Sequence, residues 1–260
     1  MEEQPENISN WSNLISLSGL VVALMCFVYA YLKITGKDKK FWLFMLWGQV
    51  AYLVGEMIWN YYELILKVEP PFPGWSDFFY LLCPWLFIAA LVYKSSMVRN
   101  KYISFRFALD VLLVLVIITA LSVQYLIYPI FFETNVSDLY IFISVAYPIS
   151  DLGLMLSALY LWGHGYQGKK RIFYPMMCGI FLSLITDTYY LYLNSKEIYQ
   201  SGGFLDVLWV VSIMLIGLSA IYHAENSKIE NISQCGCISI QNRGGQGYIL
   251  GCEKSRSSFV

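Results

Sequence analysis

Hydrophobic residues run along this chain in long unbroken stretches, not in the period of two of a half-buried strand or the single stripe of a soluble helix. Seven stretches are read as helices crossing a hydrocarbon core of about 30 Å, which takes roughly 20 apolar residues. They are Leu14 to Leu32, Phe41 to Leu66, Phe78 to Tyr93, Phe107 to Phe132, Leu139 to Trp162, Ile172 to Leu193 and Leu205 to Tyr222. The stretches lack the alternation of a transmembrane barrel, so the expected fold is all-α, a polytopic bundle of seven spans. The third is short for a span, and the second and fourth are long enough to tilt or project beyond lipid. Residues 1–13 read as an extracytoplasmic tail, 14–225 as the membrane domain, and 226–260, polar and rich in Ser, Gly and Asn, as an unstructured cytoplasmic tail.

Composition agrees: 58% hydrophobic residues and 13% charged ones, with a mean hydropathy of +0.55, describe neither a soluble domain nor a disordered one. The net charge of -1 hides a split. Lys33, Lys37, Lys39, Lys40, Lys94, Arg99, Lys101, Arg106, Lys169, Lys170 and Arg171 fall at one set of span ends, and only Lys67 and Lys196 at the other. Cytoplasmic loops are enriched in Lys and Arg, so the amino terminus is expected outside and the carboxyl terminus inside a cell membrane. Met1 to Asn13 is acidic and polar, so no cleavable signal peptide is expected and the first span serves as an anchor. Of six cysteines, Cys26, Cys83 and Cys178 lie in spans as packing residues, and Cys235, Cys237 and Cys252 lie in the inner tail, with palmitoylation or metal binding at Cys235 and Cys237 as minor alternatives.

A repeat is expected in the spacing of polar and aromatic residues. Glu56 and Asp187 are 131 apart, as are Trp59 and Tyr190, Tyr61 and Tyr192, and Glu63 and Asn194; Gly74 and Gly203, Trp75 and Phe204, Asp77 and Asp206, and Tyr80 and Trp209 are 129 apart. Spans one to three then echo five to seven in a parallel 3+1+3 arrangement, one of the repeat classes known in transporters.

Carboxyl groups inside spans carry the candidate chemistry, since an ionisable group at membrane depth is costly and needs a partner. Glu56 and Asp187 fall at similar depths in the outer half, and Asp151 near the midplane of the fifth span. Glu56, Asn60 and Glu63 share a helix face, as do Asp187, Tyr190 and Asn194, and with Trp59 these residues form the expected ligand pocket. Asp110 is read instead as a partner of Arg106. Pro84, Pro129, Pro148 and Pro175 mark bends, and Tyr147-Pro-Ile-Ser-Asp151 could bare backbone carbonyls beside a carboxylate. Pro70, Pro71, Pro73 and Gly74 predict a compact loop before a helix capped by Ser76 or Asp77. Phe72 and Trp75 lie there as an aromatic belt or, with Asp77, as a lid over the pocket.

Other functions are set aside. The seventh span holds no lysine for a retinal, and His164 and His223 offer no metal or haem pair within the bilayer, so no cofactor and no metal are expected. No nucleophile elbow, phosphate-binding glycine loop or zinc-protease motif occurs, and the chain is not expected to be an enzyme.

Gly55-Glu-Met-Ile-Trp-Asn-Tyr-Tyr-Glu63, Pro70-Pro-Phe-Pro-Gly-Trp-Ser-Asp-Phe-Phe-Tyr-Leu82 and Tyr147-Pro-Ile-Ser-Asp151 resemble the multi-span input domains of bacterial GGDEF and EAL proteins, which make or degrade cyclic di-GMP. The resemblance covers Leu14 to about Glu225 and implies a membrane sensor signalling through its last span. Neither a GGDEF nor an EAL signature is present, so no catalytic residue carries over; the resemblance implies either a separate cytoplasmic output protein as partner or a truncated or frame-shifted relative whose tail replaces the usual linker. The lipid bilayer and a second copy of the chain are the other expected partners, and nucleic acid is not one. A small-solute or proton-coupled transporter is the alternative function. A eukaryotic receptor is a third reading, allowed by the sequons at Asn7, Asn10 and Asn135.

Overall fold

The computed structural model describes residues 6–97, 137–163, 170–195, 198–199 and 201–241, with side chains described over 11–97, 137–163, 173–194, 198–199 and 201–227. All regular structure among these residues is helical: α1 (Glu6–Lys33), α2 (Asp38–Asn60), a π-helical turn (Tyr61–Leu66) continuing α2, α3 (Trp75–Met97), α4 (Asp138–Gly163), α5 (Lys170–Ser195) and α6 (Phe204–Gln241). Six helices are long and apolar enough to cross a membrane, as expected of a multi-pass membrane protein. Helices suit lipid because every backbone group can be bonded within the element. Their outward faces carry exposed apolar side chains such as Trp47, Phe142 and Phe181.

These helices match the first, second, third, fifth, sixth and seventh expected spans. The fourth, Phe107 to Phe132, lies outside the described residues, as do Asp110, Pro129, His164 and the sequon residue Asn135. Two expectations are corrected. The third span is not short, because its helix starts at Trp75, inside the proline-rich loop, and has 23 residues. The residues after Glu225 are not unstructured as far as Gln241, because α6 continues through them as one 38-residue helix. A formed span supplies the helix nucleus, so a polar continuation adds residues without a new nucleation cost.

Each helix packs on the next in chain order and α6 returns to α1, giving a closed ring among the described residues. Close contacts set the directions. Gly48 faces Phe87 and Gly55 faces Tyr80, so α2 and α3 run antiparallel. Asp77 meets Tyr147 and Gly153 meets Ile88, so α3 and α4 run the same way. Gly19 faces Val210 and Gly217 faces Cys26, so α1 and α6 also run the same way.

One end of the ring is basic, with Lys33, Lys37, Lys39, Lys40 and Lys94; the other is acidic, with Glu63, Asp77 and Asp206. The basic end is closed by a packed core that includes Phe27, Phe41, Trp42 and Phe173. A polar network lies among these rings. Asp38 takes Lys94 Nζ at 2.5 Å on one oxygen and His223 Nε2 at 3.2 Å on the other, while Trp42 Nε1 donates to His223 Nδ1 at 2.9 Å. With Nδ1 accepting, the imidazole proton sits on Nε2 and points at Asp38. The network joins α2, α3 and α6, and Tyr29 donates to Glu225 beside it, linking α1 to α6.

Small residues let α5 and α6 approach. A Cβ on Gly179 would lie 2.5 Å from the Ser212 carbonyl oxygen and 2.7 Å from Ile216. Gly179→Ala is expected to cost about 1 kcal/mol net, after the ~1 kcal/mol that alanine returns through helix propensity. Detergent-titrated unfolding of the variant against the unsubstituted chain checks this.

Candidate functional site

A cavity runs along the middle of the ring from the acidic helix ends down to Phe87 and Ile216, and every one of the six helices contributes to its wall. It leaves about 120 Å³ in which water-sized molecules can be centred, several times the ~10–15 Å³ that one water needs. A small organic molecule therefore fits.

Its carboxyls are positioned in two matched sets. On α2, Glu56 accepts from Tyr80 Oη of α3 at 2.9 Å; on α5, Asp187 accepts from Trp209 Nε1 of α6 at 2.7 Å. At the start of α3, Asp77 accepts from the Gly74 N–H at 2.7 Å and from Tyr147 Oη at 2.8 Å. At the start of α6, Asp206 accepts from the Gly202 N–H at 2.5 Å and from Tyr199 Oη at 2.9 Å. In both places a third-position carboxylate reaches back over its own helix N-terminus: Asp77 bonds the residue just before its helix, half of a capping box, and Asp206 bonds Gly202 one residue further back. Burial, reinforced by the Asp206 carboxylate, pushes the Tyr199 phenol well above its ordinary range, so it stays a neutral donor. Aromatic packing is matched too: the Trp59 and Tyr80 rings lie 6.5 Å apart, and those of Tyr190 and Trp209 5.3 Å apart.

Of the residues expected from the sequence, Glu56, Trp59, Asp77, Asp151, Asp187 and Tyr190 do line this one cavity. Asp151 makes no hydrogen bond to a described residue and lies within electrostatic reach of Asp187. Asn60, Glu63 and Asn194 are not part of the wall. Asn60 is buried behind it and donates to the Glu56 carbonyl at 2.8 Å and side chain at 3.3 Å, serving as a support. Glu63 leaves the shared face because the π turn from Tyr61 rotates it; it accepts from Asn13 at 2.6 Å and Ser201 at 3.0 Å and ties α1, α2 and the loop before α6 together.

The lid expectation is corrected for two of its three members. Trp75 is 72% exposed on the outside of the ring. Phe72 packs edge-on against Tyr140, ring centres 5.1 Å apart, at the rim. The loop prolines and the start of α3 turn both rings away from the axis and leave only Asp77 inward. The cap belongs to Asp77, and the Ser76 hydroxyl has no partner among the described residues. The Tyr147 carbonyl accepts from the Ser150 hydroxyl at 2.8 Å, so that proline segment does not bare it. Sequence reasoning missed Tyr52, Tyr147, Tyr199 and Asn13 as wall or support residues. Tyr147 stood next to the proline that drew attention, and nothing in its spacing set it apart from the other 20 tyrosines.

Among the described residues, fold and site define an all-helical ring of six helices, each long and apolar enough to cross a membrane, around a central cavity walled by carboxyls, aromatic rings and apolar side chains. The chain matches no known protein family, no curated protein and no solved structure.

Proposed function

We propose that this chain is a membrane transporter for a small solute, built as two three-helix halves with the acidic end outward and the central cavity as the substrate site. One observation carries the reading: the cavity wall is made of corresponding residues from α1–α3 and α4–α6. Tyr52 and Ser183, Glu56 and Asp187, and Trp59 and Tyr190 all line it at a spacing of 131, and Asp77 and Asp206, Tyr80 and Trp209, and Phe87 and Ile216 at a spacing of 129. The hydrogen bonds correspond as well, Glu56 to Tyr80 and Asp187 to Trp209. A substrate site at the junction of two repeats is what alternating access uses, since the halves can rock about it.

The equal direction of α3 and α4 supports a recrossing between Met97 and Asp138, hence seven spans and a parallel repeat. The basic residues at one end support its cytoplasmic placement. Two closures at opposite ends suit the same cycle: Asp38, Lys94 and His223 at the basic end, and Glu63 with Asn13 and Ser201 at the acidic end.

Sensing is the second reading, favoured by α6, which runs without a break from Asp206 and Trp209 in the cavity wall to Gln241 beyond the expected membrane boundary. A helix that touches the ligand and leaves the membrane could report to a cyclic di-GMP output partner, the kind the motif resemblance implies. Reconstitution into proteoliposomes separates the two. Transport predicts solute uptake by the full chain that falls at least tenfold in Glu56→Gln and in Asp187→Asn. A ligand-dependent change in a fused cyclase without any uptake would replace transport by sensing.

A further inference from the structure

We propose that the cavity takes an organic cation, a small amine or quaternary ammonium compound, held between the carboxylates of Asp151 and Asp187 and the facing aromatic rings. The inference rests on the cavity being the ligand site. Five carboxyls line it, from Glu56, Asp77, Asp151, Asp187 and Asp206, while no Lys, Arg or His does so among the described residues. An uncompensated set of acids at membrane depth demands either protons or a cationic occupant.

The hydrogen-bond pattern separates structural acids from available ones. Asp77 and Asp206 are each engaged by a helix N-terminus and a tyrosine, and Glu56 by Tyr80 and Asn60. Among the described residues Asp187 accepts only at Oδ1, from Trp209, and Asp151 accepts from none. Carboxyl oxygens are thus left without partners in the cavity wall, on α4 and α5. Two aromatic pairs line the same cavity: Trp59 with Tyr80, and Tyr190 with Trp209. Ring faces attract a cation through their quadrupoles, and aromatic walls around a carboxylate are how proteins recognise quaternary ammonium groups.

A bare metal ion fits worse. Among the described residues no three His, Cys, Asp or Glu side chains converge closely enough to hold one, and the space greatly exceeds an ion. An anion meets five carboxyls, and a neutral solute answers none of them, so each unpartnered one would have to hold a proton.

The test uses the full chain in lipid nanodiscs, with choline and tetramethylammonium as probes and 3,3-dimethylbutan-1-ol as the uncharged isostere of choline, followed by calorimetry and by fluorescence of the tryptophans. Choline is expected to bind at least tenfold more tightly than the alcohol. Asp151→Asn and Asp187→Asn are each expected to weaken choline at least tenfold and to leave the alcohol unchanged, which a merely structural role would not do. Equal binding of choline and the alcohol overturns the proposal, as does the absence of binding by either ammonium probe. The wild-type comparison needs no variant, so misfolding of a variant cannot shelter it. Ammonium binding without proteoliposome uptake overturns transport and keeps the cation, whereas uptake of a neutral or anionic solute by a chain that ignores ammonium overturns the cation and keeps transport.

Discussion

Asp38→Asn is expected to destabilise the bundle by about 2–3 kcal/mol, and adding Lys94→Met to return most of that loss. Asp38 offers one carboxylate oxygen to Lys94 and the other to His223, and both partners are almost wholly buried, with side-chain exposures of 4% and 1%. An asparagine keeps one acceptor and turns an NH2 group toward a donor, so either the ammonium or the imidazole loses its oxygen. Removing one partner of a fully buried pair costs about 3–5 kcal/mol, whereas replacing the whole pair by apolar groups of similar volume is near neutral. The lower figure applies because the Asp38 side chain keeps 32% exposure, which screens part of the interaction. Detergent-titrated unfolding followed by tryptophan fluorescence reads both variants. A loss below about 0.5 kcal/mol in the single variant would remove the network's role as a closure.

Asp77→Ala and Asp206→Ala should each cost about 2–3 kcal/mol, and the same amount as each other. Each change strips the acceptor from a helix-start amide, worth ~1 kcal/mol, and strands a tyrosine hydroxyl, worth a further 1–2. The bonds involved are of similar length, at 2.7 and 2.8 Å for Asp77 and 2.5 and 2.9 Å for Asp206, although Tyr147 donates from α4 and Tyr199 from the loop before α6. The losses should add in the double variant, because the two acids share no bonding partner. A difference greater than about 1 kcal/mol between the single variants would argue against the equivalence of these two helix starts.

Much of this architecture is legible in the sequence, for definite reasons. The runs from Leu14 to Leu32 and from Leu139 to Trp162 needed only length and apolarity, because lipid admits little else than a helix. Glu56 and Asp187 stood out because carboxyls are rare at membrane depth, and the equal spacing of their neighbours joined them. Asp77 is legible both as a cap and as a residue at the pocket, and one side chain serves both through its two oxygens. Glu63 was misassigned because a straight α-helix was assumed where the chain adopts a π turn, and i, i+7 spacing holds only without one. The network at the basic end was illegible: Asp38 and His223 are 185 residues apart, and Lys94 read as one more positive residue at a span end. Contacts set by the closing of a ring have no local signature.

Accessibility of the cavity from the two sides of the membrane tests the central claim most directly. A chain free of its native cysteines, carrying Ser183→Cys in the cavity wall, would be reconstituted in one orientation and exposed to a membrane-impermeant thiol reagent from either face. The account predicts fast labelling from the acidic face and slow labelling from the basic face, with Asp38→Asn raising the second rate and lowering the first. Labelling from neither face, or rates that ignore Asp38→Asn, would contradict a cavity served by alternating closures.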